Sequence, residues 1–369
     1  MRRVGGELRD KEELIWLAPV AAVTILLFIL ASVAAAPHGI SAGAVAGAYG
    51  SRALRAVPIL AQVMVLALLV RALISGSPNP LARLLDPFRG RFHTPMLAAA
   101  ALAPLVLMPL LFTGFNVLKM LMPLNVEFAW DDAFAAADRA LFFGHQPWEL
   151  THALFGSVDA TVALDHMYSG WVAVLSFAIL GFALFAPRYD RARFFLSFTA
   201  AWLLLGVAGA YLGASAGPCY SALVGASSAP EFAPLMERLQ AMHALEGTHI
   251  RAVDWQGVLW EAHSNRRYGF GMGISAMPSL HNAIAALYAL AFFRFGRAWG
   301  AAATVFALVI FVGSVHLGWH YAADGIVAAA AMAGIWWVAG RYLDRSGYAA
   351  AVARPAERHP AEAPGLALA

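Results

Sequence analysis

Charge is what this sequence has least of: only 13% of its residues are Asp, Glu, Lys or Arg, and the formal net charge is +3. Its arginines are scattered rather than gathered into a patch, so the electrostatic footprint of a nucleic-acid binder is missing. Cysteine is nearly absent. Lone Cys219 excludes an intramolecular disulfide and says little about compartment. What is present is apolar: 61% of the 369 residues are hydrophobic. A water-soluble domain of this length cannot hide so much apolar surface. The apolar residues come in long uninterrupted runs, which points to an all-α, polytopic transmembrane helical bundle.

Eight spans are expected, over residues 15–36, 57–75, 95–117, 162–186, 194–214, 277–294, 298–317 and 320–340. Each holds about 20 residues, enough to cross ~30 Å of hydrocarbon at ~1.5 Å per residue. The Ala-rich "ASVAAAP" after the first run resembles a signal-peptide end. However, the run from Ile15 to Ala36 is long for that role, and its flank "ELRDKEEL" is acidic as well as basic. A retained first helix is therefore expected, and Arg2-Arg3 is too little for a twin-arginine signal.

Arginines in short loops set the orientation. Arg83, Arg89 and Arg91 follow span two; Arg188, Arg191 and Arg193 follow span four; Arg294 and Arg297 follow span six; Arg341 and Arg345 follow span eight. Eight spans put all four groups on one side, the cytoplasm, with both termini. Arg52 and Arg55 vote the other way. Loops 118–161 and 215–276 then face outward, and Trp336 and Trp337 read as an inner aromatic belt.

Both outer loops contain amphipathic helices. "EFAWDDAFAAADRALFF" puts Trp130, Phe134, Ala137 and Leu141 on one face, and "EFAPLMERLQAMHAL" does the same with Phe232, Leu235, Met236, Leu239 and Met242. Such helices either lie in the membrane interface, apolar face down, or cover the end of the bundle.

Two stretches carry chemistry. "GISAMPSLHNA", residues 273–283, sets Ser279 and His281 at the start of span six; "VGSVHLGWHYAADGIVA", residues 312–328, sets His316, His320 and Asp324 four residues apart. An ionisable cluster at a membrane helix is a functional hypothesis by default. His281 and His320 are 39 residues apart, the length of one helical hairpin, so both return to the same membrane face. A neutral imidazole can attack phosphorus if a carboxylate fixes its tautomer and stabilises the cation formed. His320 with Asp324 offers that pair, and His281 can supply and then remove a proton. Pro278 suits a first helical turn, whose free N–H groups, with the Ser279 hydroxyl, could hold phosphate. The glycines of "YGFGMG", ending at Gly273, would let backbone approach it closely.

Blander roles are open for each. Ser279 could merely cap a helix, and His281 could be a satisfied core histidine. His316, His320 and Asp324 could hold a metal, but Pro278, Ser279 and the glycines around His281 would then be unexplained. His316 suits packing better than chemistry. Asp165, His166 and Tyr168, at the outer end of span four, could hold a head group or satisfy each other.

"AMPSLH" and "GWHYAAD" resemble the second and third signature motifs of the type 2 phosphatidic acid phosphatase superfamily. "SAGPCYS", residues 215–221, resembles the branch containing inositol phosphorylceramide synthase. The resemblance covers about the C-terminal 160 residues. It implies a helical bundle with its site at one membrane face, His320 as nucleophile, His281 as acid and base, Asp324 as orienting carboxylate and Ser279 as a phosphate contact. The sequence departs from the superfamily pattern in its cations. The first motif, K-x6-R-P, is missing, with Gly217-Pro218 about where Arg-Pro would stand, and Gly313-Ser314 replaces the Ser-Arg of the third motif. Arg266 and Arg267, or Arg251 or Lys119, are candidates to replace that charge.

The sequence therefore leads to an integral membrane enzyme, expected in a bacterial inner membrane with its site facing the periplasm. It would move a phosphoryl group on a lipid through a phosphohistidine, with no metal or other cofactor and no nucleic-acid partner. A head-group phosphotransferase is preferred, a lipid or isoprenyl phosphate phosphatase is the alternative, and a transporter is the distant one; oligomeric state is not legible. The expected division is 1–117 (N-terminal transmembrane helices), 118–161 (outward interfacial segment), 162–345 (catalytic bundle with loop 215–276) and 346–369 (a disordered tail rich in Ala, Pro and Glu).

Overall fold

The computed structural model describes residues 10–74 and 92–353, and no strand occurs among them. The protein is an all-α polytopic bundle, as its apolar runs require. Seven helices among the described residues are long and apolar enough to cross a membrane, and the eighth expected span is the shorter apolar helix Leu280–Phe295.

The helices are α1 (Leu14–Ala35), α2 (Ala42–Ile74) and α3 (Pro95–Asn125), then the outer helices α4 (Asp131–Leu141) and α5 (Pro147–Phe155). Next come α6 (Val158–Ser169), α7 (Trp171–Phe185) and α8 (Arg188–Leu212), the last containing a π-helical stretch at Trp202–Gly209. The outer helices α9 (Ala229–His243) and α10 (Arg251–Ser264) precede α11 (Leu280–Phe292), α12 (Arg297–His316), α13 (Ala322–Arg345) and the short α14 (Tyr348–Ala353).

Side chains end these helices where the sequence offers caps. Thr94 Oγ1 accepts the Leu97 N–H at 3.2 Å with Pro95 following it, and Ser157 Oγ accepts the Ala160 N–H at 3.2 Å. Gly296, at φ +138°, turns the chain between α11 and α12.

The centre of the bundle is α11, packed against α12, α13 and α8. Its buried face includes the small residues Ala283, Ala285 and Ala291, which let neighbouring backbones approach closely. Helix α1 packs on α3 and α8, and α2 rests mainly on α3.

At the end opposite the outer helices, polar groups tie the spans together. Glu13 is fully buried; it receives Arg188 Nε at 2.5 Å and the Tyr348 hydroxyl at 3.0 Å. Arg294 Nε pairs with Asp190 at 2.9 Å, and the Tyr342 hydroxyl donates to the Ile15 carbonyl at 2.7 Å. The arginine groups after spans four, six and eight thus share one end; Arg83, Arg89 and Arg91 lie outside the described residues.

Two expectations need correction. The segment expected to be a disordered tail begins with α14, whose Tyr348 is fully buried on Glu13, and residues 354–369 lie outside the described residues. Trp336 does not stand in an aromatic belt; it is buried beneath Arg193, whose guanidinium carbon lies 4.0 Å from its ring centroid, whereas Trp337 is exposed. Of the two alternatives for the outer amphipathic helices, α4 does not cover the bundle with its apolar face. Asp131, Ala135 and Asp138 are its buried residues, while Trp130 and Leu141 are exposed. Helix α9 takes the bundle-covering alternative, with Phe232, Leu235, Leu239 and Met242 buried.

The arginine end is expected to be cytoplasmic. A phosphatase reporter inserted in loop 215–276 should be active only if exported, and a fluorescent reporter on the C-terminus should light up inside the cell. The reverse pair of results would put the outer helices in the cytoplasm.

Candidate active site

The loop between α12 and α13 places His320. Ser314 C=O accepts both the Trp319 N–H at 3.0 Å and the His320 N–H at 3.1 Å, so the chain doubles back over the end of α12. Gly318 takes φ +74° in this turn. Asp324 then stands in the first turn of α13. Its Oδ2 receives the Tyr321 N–H at 3.1 Å and faces His320 Nδ1 at 3.2 Å. This contact favours a Nδ1–H tautomer, in which Nε2 carries the lone pair. Asp324 is fully buried, and its Oδ1 has no protein partner. Burial, with the Lys119 ammonium nearby, holds His320 well below the usual imidazole range. It is therefore neutral at neutral pH, the form that can attack.

His281 comes from the first turn of α11. Its ring centroid is 6.1 Å from that of His320. Tyr168 stacks on it at 4.8 Å, and Trp171 flanks it at 4.4 Å. Both histidines line a cavity of about 580 Å³. Lys119 and Arg251 line it too, with Phe115, Val172, Trp202 and Leu280 among its apolar walls. Among the described residues no carboxylate pairs with either cation. Lys119 is one of two lysines in the sequence, and its charge acts on both histidines.

The remaining expected site residues divide. Gly273 lines the cavity at φ +101°, where a Cβ would lie 3.1 Å from the backbone of Lys119 and Met120. Tyr168 lines it as well. Ser279 does not: it is fully buried, and its Oγ accepts the Asn282 N–H at 3.4 Å and the Asn282 side-chain amide at 3.0 Å. It caps α11, and Pro278 precedes that cap rather than opening the helix. The helix start still faces the cavity through Leu280 and His281, whose N–H groups have no protein acceptor among the described residues.

Asp165 is buried and holds the start of α10, accepting the Arg251 and Ala252 N–H groups, each at 2.9 Å. It therefore acts on Arg251 and not on a ligand. Arg266 and Arg267 line a separate pocket of about 260 Å³, which shares Gly273 with the main cavity as a lining residue. Arg267 pairs there with Glu261 at 2.9 Å. His316 packs under His152, ring centroids 3.9 Å apart, and its Nε2 contacts Thr161 Oγ1 at 3.0 Å. It takes no part in a metal set with His320.

Among the described residues one other group, His243, His249 and Asp254, has metal-ligand spacing. However, His243 Nδ1 accepts the Ile250 N–H at 3.2 Å, which puts its proton on Nε2, facing Asp254 rather than free for a metal. Burial pushes the Cys219 thiol well up, so it offers no thiolate nucleophile.

The missing motif arginines have local explanations. Gly217 sits at φ +99°, and a Cβ there would lie 2.6 Å from the Trp319 carbonyl oxygen. No arginine fits against that loop. Ser314 is fully buried, donating to the Phe311 carbonyl at 2.7 Å and receiving the Asn282 amide at 3.2 Å.

Sequence reasoning missed three contributors. Trp171 was read only as part of a span. Asp131 and Asp138, on the inward face of α4, bind backbone beside the cavity: Asp131 accepts the Ala216 and Gly217 N–H groups at 2.9 and 2.8 Å, and Asp138 those of Ala322 and Ala323, each at 2.8 Å. Their spacing of seven residues was the available signal, since it puts both on one helical face.

A membrane-embedded helical bundle with two histidines and a carboxylate around a cavity at one end defines a class of phosphoryl-handling membrane enzymes. The pattern of the PAP2 superfamily matches residues 132–338, more than half of the chain, and the protein belongs to that superfamily. Its members are generally phosphatases and phosphotransferases, and this chain is an integral membrane enzyme of that kind. No curated protein and no solved structure matches the chain.

Proposed function

We propose that this protein transfers a phosphoryl-bearing head group between lipids through a phosphohistidine on His320, a reaction similar to that of inositol phosphorylceramide synthase. The observation that carries the reading is the make-up of the cavity. His320, His281, Lys119 and Arg251 line it together with the apolar Phe115, Val172, Trp202 and Leu280. A phosphorylated lipid has the same combination.

In the first step His320 Nε2 attacks phosphorus, and the bond from phosphorus to the leaving oxygen breaks. The charge that the phosphate brings beside His281 favours its protonated form, which gives a proton to that oxygen. Asp324 stabilises the phosphorylated, cationic imidazole. In the second step neutral His281 takes the proton of an acceptor hydroxyl, whose oxygen attacks phosphorus and releases His320. Lys119, Arg251 and the open N–H groups of Leu280 and His281 hold the phosphoryl oxygens as charge develops.

Transfer to an alcohol is preferred over transfer to water because of the second pocket. It shares Gly273 with the cavity and is lined by His263, Ser264, Arg266, Arg267 and Tyr268. That is space and polarity for a second head group, which a phosphatase does not need. Purified protein given a labelled phospholipid and an acceptor lipid should exchange the head group; release of free phosphate alone would make it a phosphatase, and neither product would exclude both.

An arginine from each pocket gives a separate expectation. Arg251→Ala should raise KM for the phospholipid roughly 10- to 100-fold, since a hydrogen bond to a charged group contributes about 1.5–3 kcal/mol. Arg266→Ala should leave first-step phosphoenzyme formation unchanged. Steady-state and single-turnover kinetics read the two effects; equal losses at both positions would mean that the phosphate lies elsewhere.

A further inference from the structure

The inward acidic face of α4 has no counterpart in the mechanism above. The same helix carries Trp130, Phe134 and Leu141, which could have packed on the bundle, yet two carboxylates are buried there instead, each about 2% exposed. Burying carboxylates without a cation is costly, and burial pushes the Asp138 carboxyl up to about 6. Each acid receives two backbone N–H groups, and Asp131 also receives the Tyr321 hydroxyl at 2.9 Å.

The groups they hold lie on both sides of the nucleophile. Asp138 takes the first two N–H groups of α13, Ala322 and Ala323. Asp324, at the third position of the same helix, reaches back to the Tyr321 N–H as in a capping box and faces His320. Asp131 takes Ala216 and Gly217, the strand of loop pressed against Trp319, and ties it to Tyr321, the residue after His320.

We infer that Asp131 and Asp138 are positioning residues: from α4 they clasp the loop at Gly217 and the start of α13, and so hold His320 and Asp324 in attacking geometry. This rests on His320 being the nucleophile. Asp132 is the internal control. It makes the same kind of bonds, to the Ser227 and Ser228 N–H groups at 3.1 and 2.8 Å, but touches nothing next to His320.

The test uses full-length protein in detergent micelles with a short-chain phosphatidic acid, measuring kcat, KM and the rate of phosphoenzyme formation. Asp138→Ala and Asp131→Ala should each lower kcat and the phosphoenzyme rate roughly tenfold to a hundredfold, the scale of a displacement of about 1 Å in a reacting group, with KM little changed. Asp138→Asn, which keeps one acceptor oxygen, should recover part of the loss, and it decides the matter if the alanine variant does not fold. Asp132→Ala should match the wild type. The inference is overturned if folded Asp138 variants keep wild-type kcat, if Asp132→Ala loses as much, or if only KM moves. A wild-type protein that turns over no phosphate ester would instead remove the phosphoryl-transfer reading, and this inference with it.

Discussion

His320→Ala should abolish turnover, lowering kcat by about 10⁴-fold or more, the scale expected when the covalent nucleophile of a catalytic set is removed. The site contains no substitute. Burial holds the Cys219 thiol protonated, and His281 is clasped between Tyr168 and Trp171 with no carboxylate partner of its own among the described residues. The variant should still fold, because the Trp319 and residue-320 N–H groups would keep their bonds to the Ser314 carbonyl. Its melting temperature in detergent, measured beside its activity, separates the two effects. A folded variant with activity within tenfold of wild type would remove His320 from the chemistry.

His281→Ala should be nearly as damaging, but only for some substrates. A general acid contributes roughly 10²–10⁴-fold when the leaving oxygen is basic. With an ordinary alkoxide leaving group the loss should be of that size. With nitrophenolate, which leaves unaided, the first step should be almost spared while the second still lacks its base. Rapid mixing should then show a burst of nitrophenol followed by a stall. Equal loss with both leaving groups and no burst would make His281 a phosphate-positioning residue.

Much of the site was legible because its chemistry is local in sequence. His320 and Asp324 are separated by one helical turn, and a hairpin of fixed length brings His281 back to them. The spans were legible because membrane crossing demands long apolar runs. Where expectations failed, the partner was distant or was backbone. The amphipathic pattern around Trp130 and Leu141 left open whether this helix lies in the membrane interface or covers the bundle, and it did not show that Asp131 and Asp138 are drawn inward by N–H groups at Ala216, Gly217, Ala322 and Ala323, 85 or more residues away. Backbone donors leave no residue type to read. Ser279 shows the converse: a helix cap and a phosphate contact use the same hydroxyl, and only its burial against Asn282 distinguishes them. Of the four candidate cations, Arg266 and Arg267 were nearest in sequence to His281, yet Lys119 on α3 and Arg251 on α10 are the ones lining the cavity.

The most direct test is chemical trapping of the intermediate. Wild-type protein mixed with a phosphorus-labelled lipid and quenched in alkali should carry one acid-labile, alkali-stable phosphate. Peptide mapping should place it on His320, and a reactive acceptor lipid should discharge it. Label on another residue, or no label under conditions of active turnover, would contradict the account.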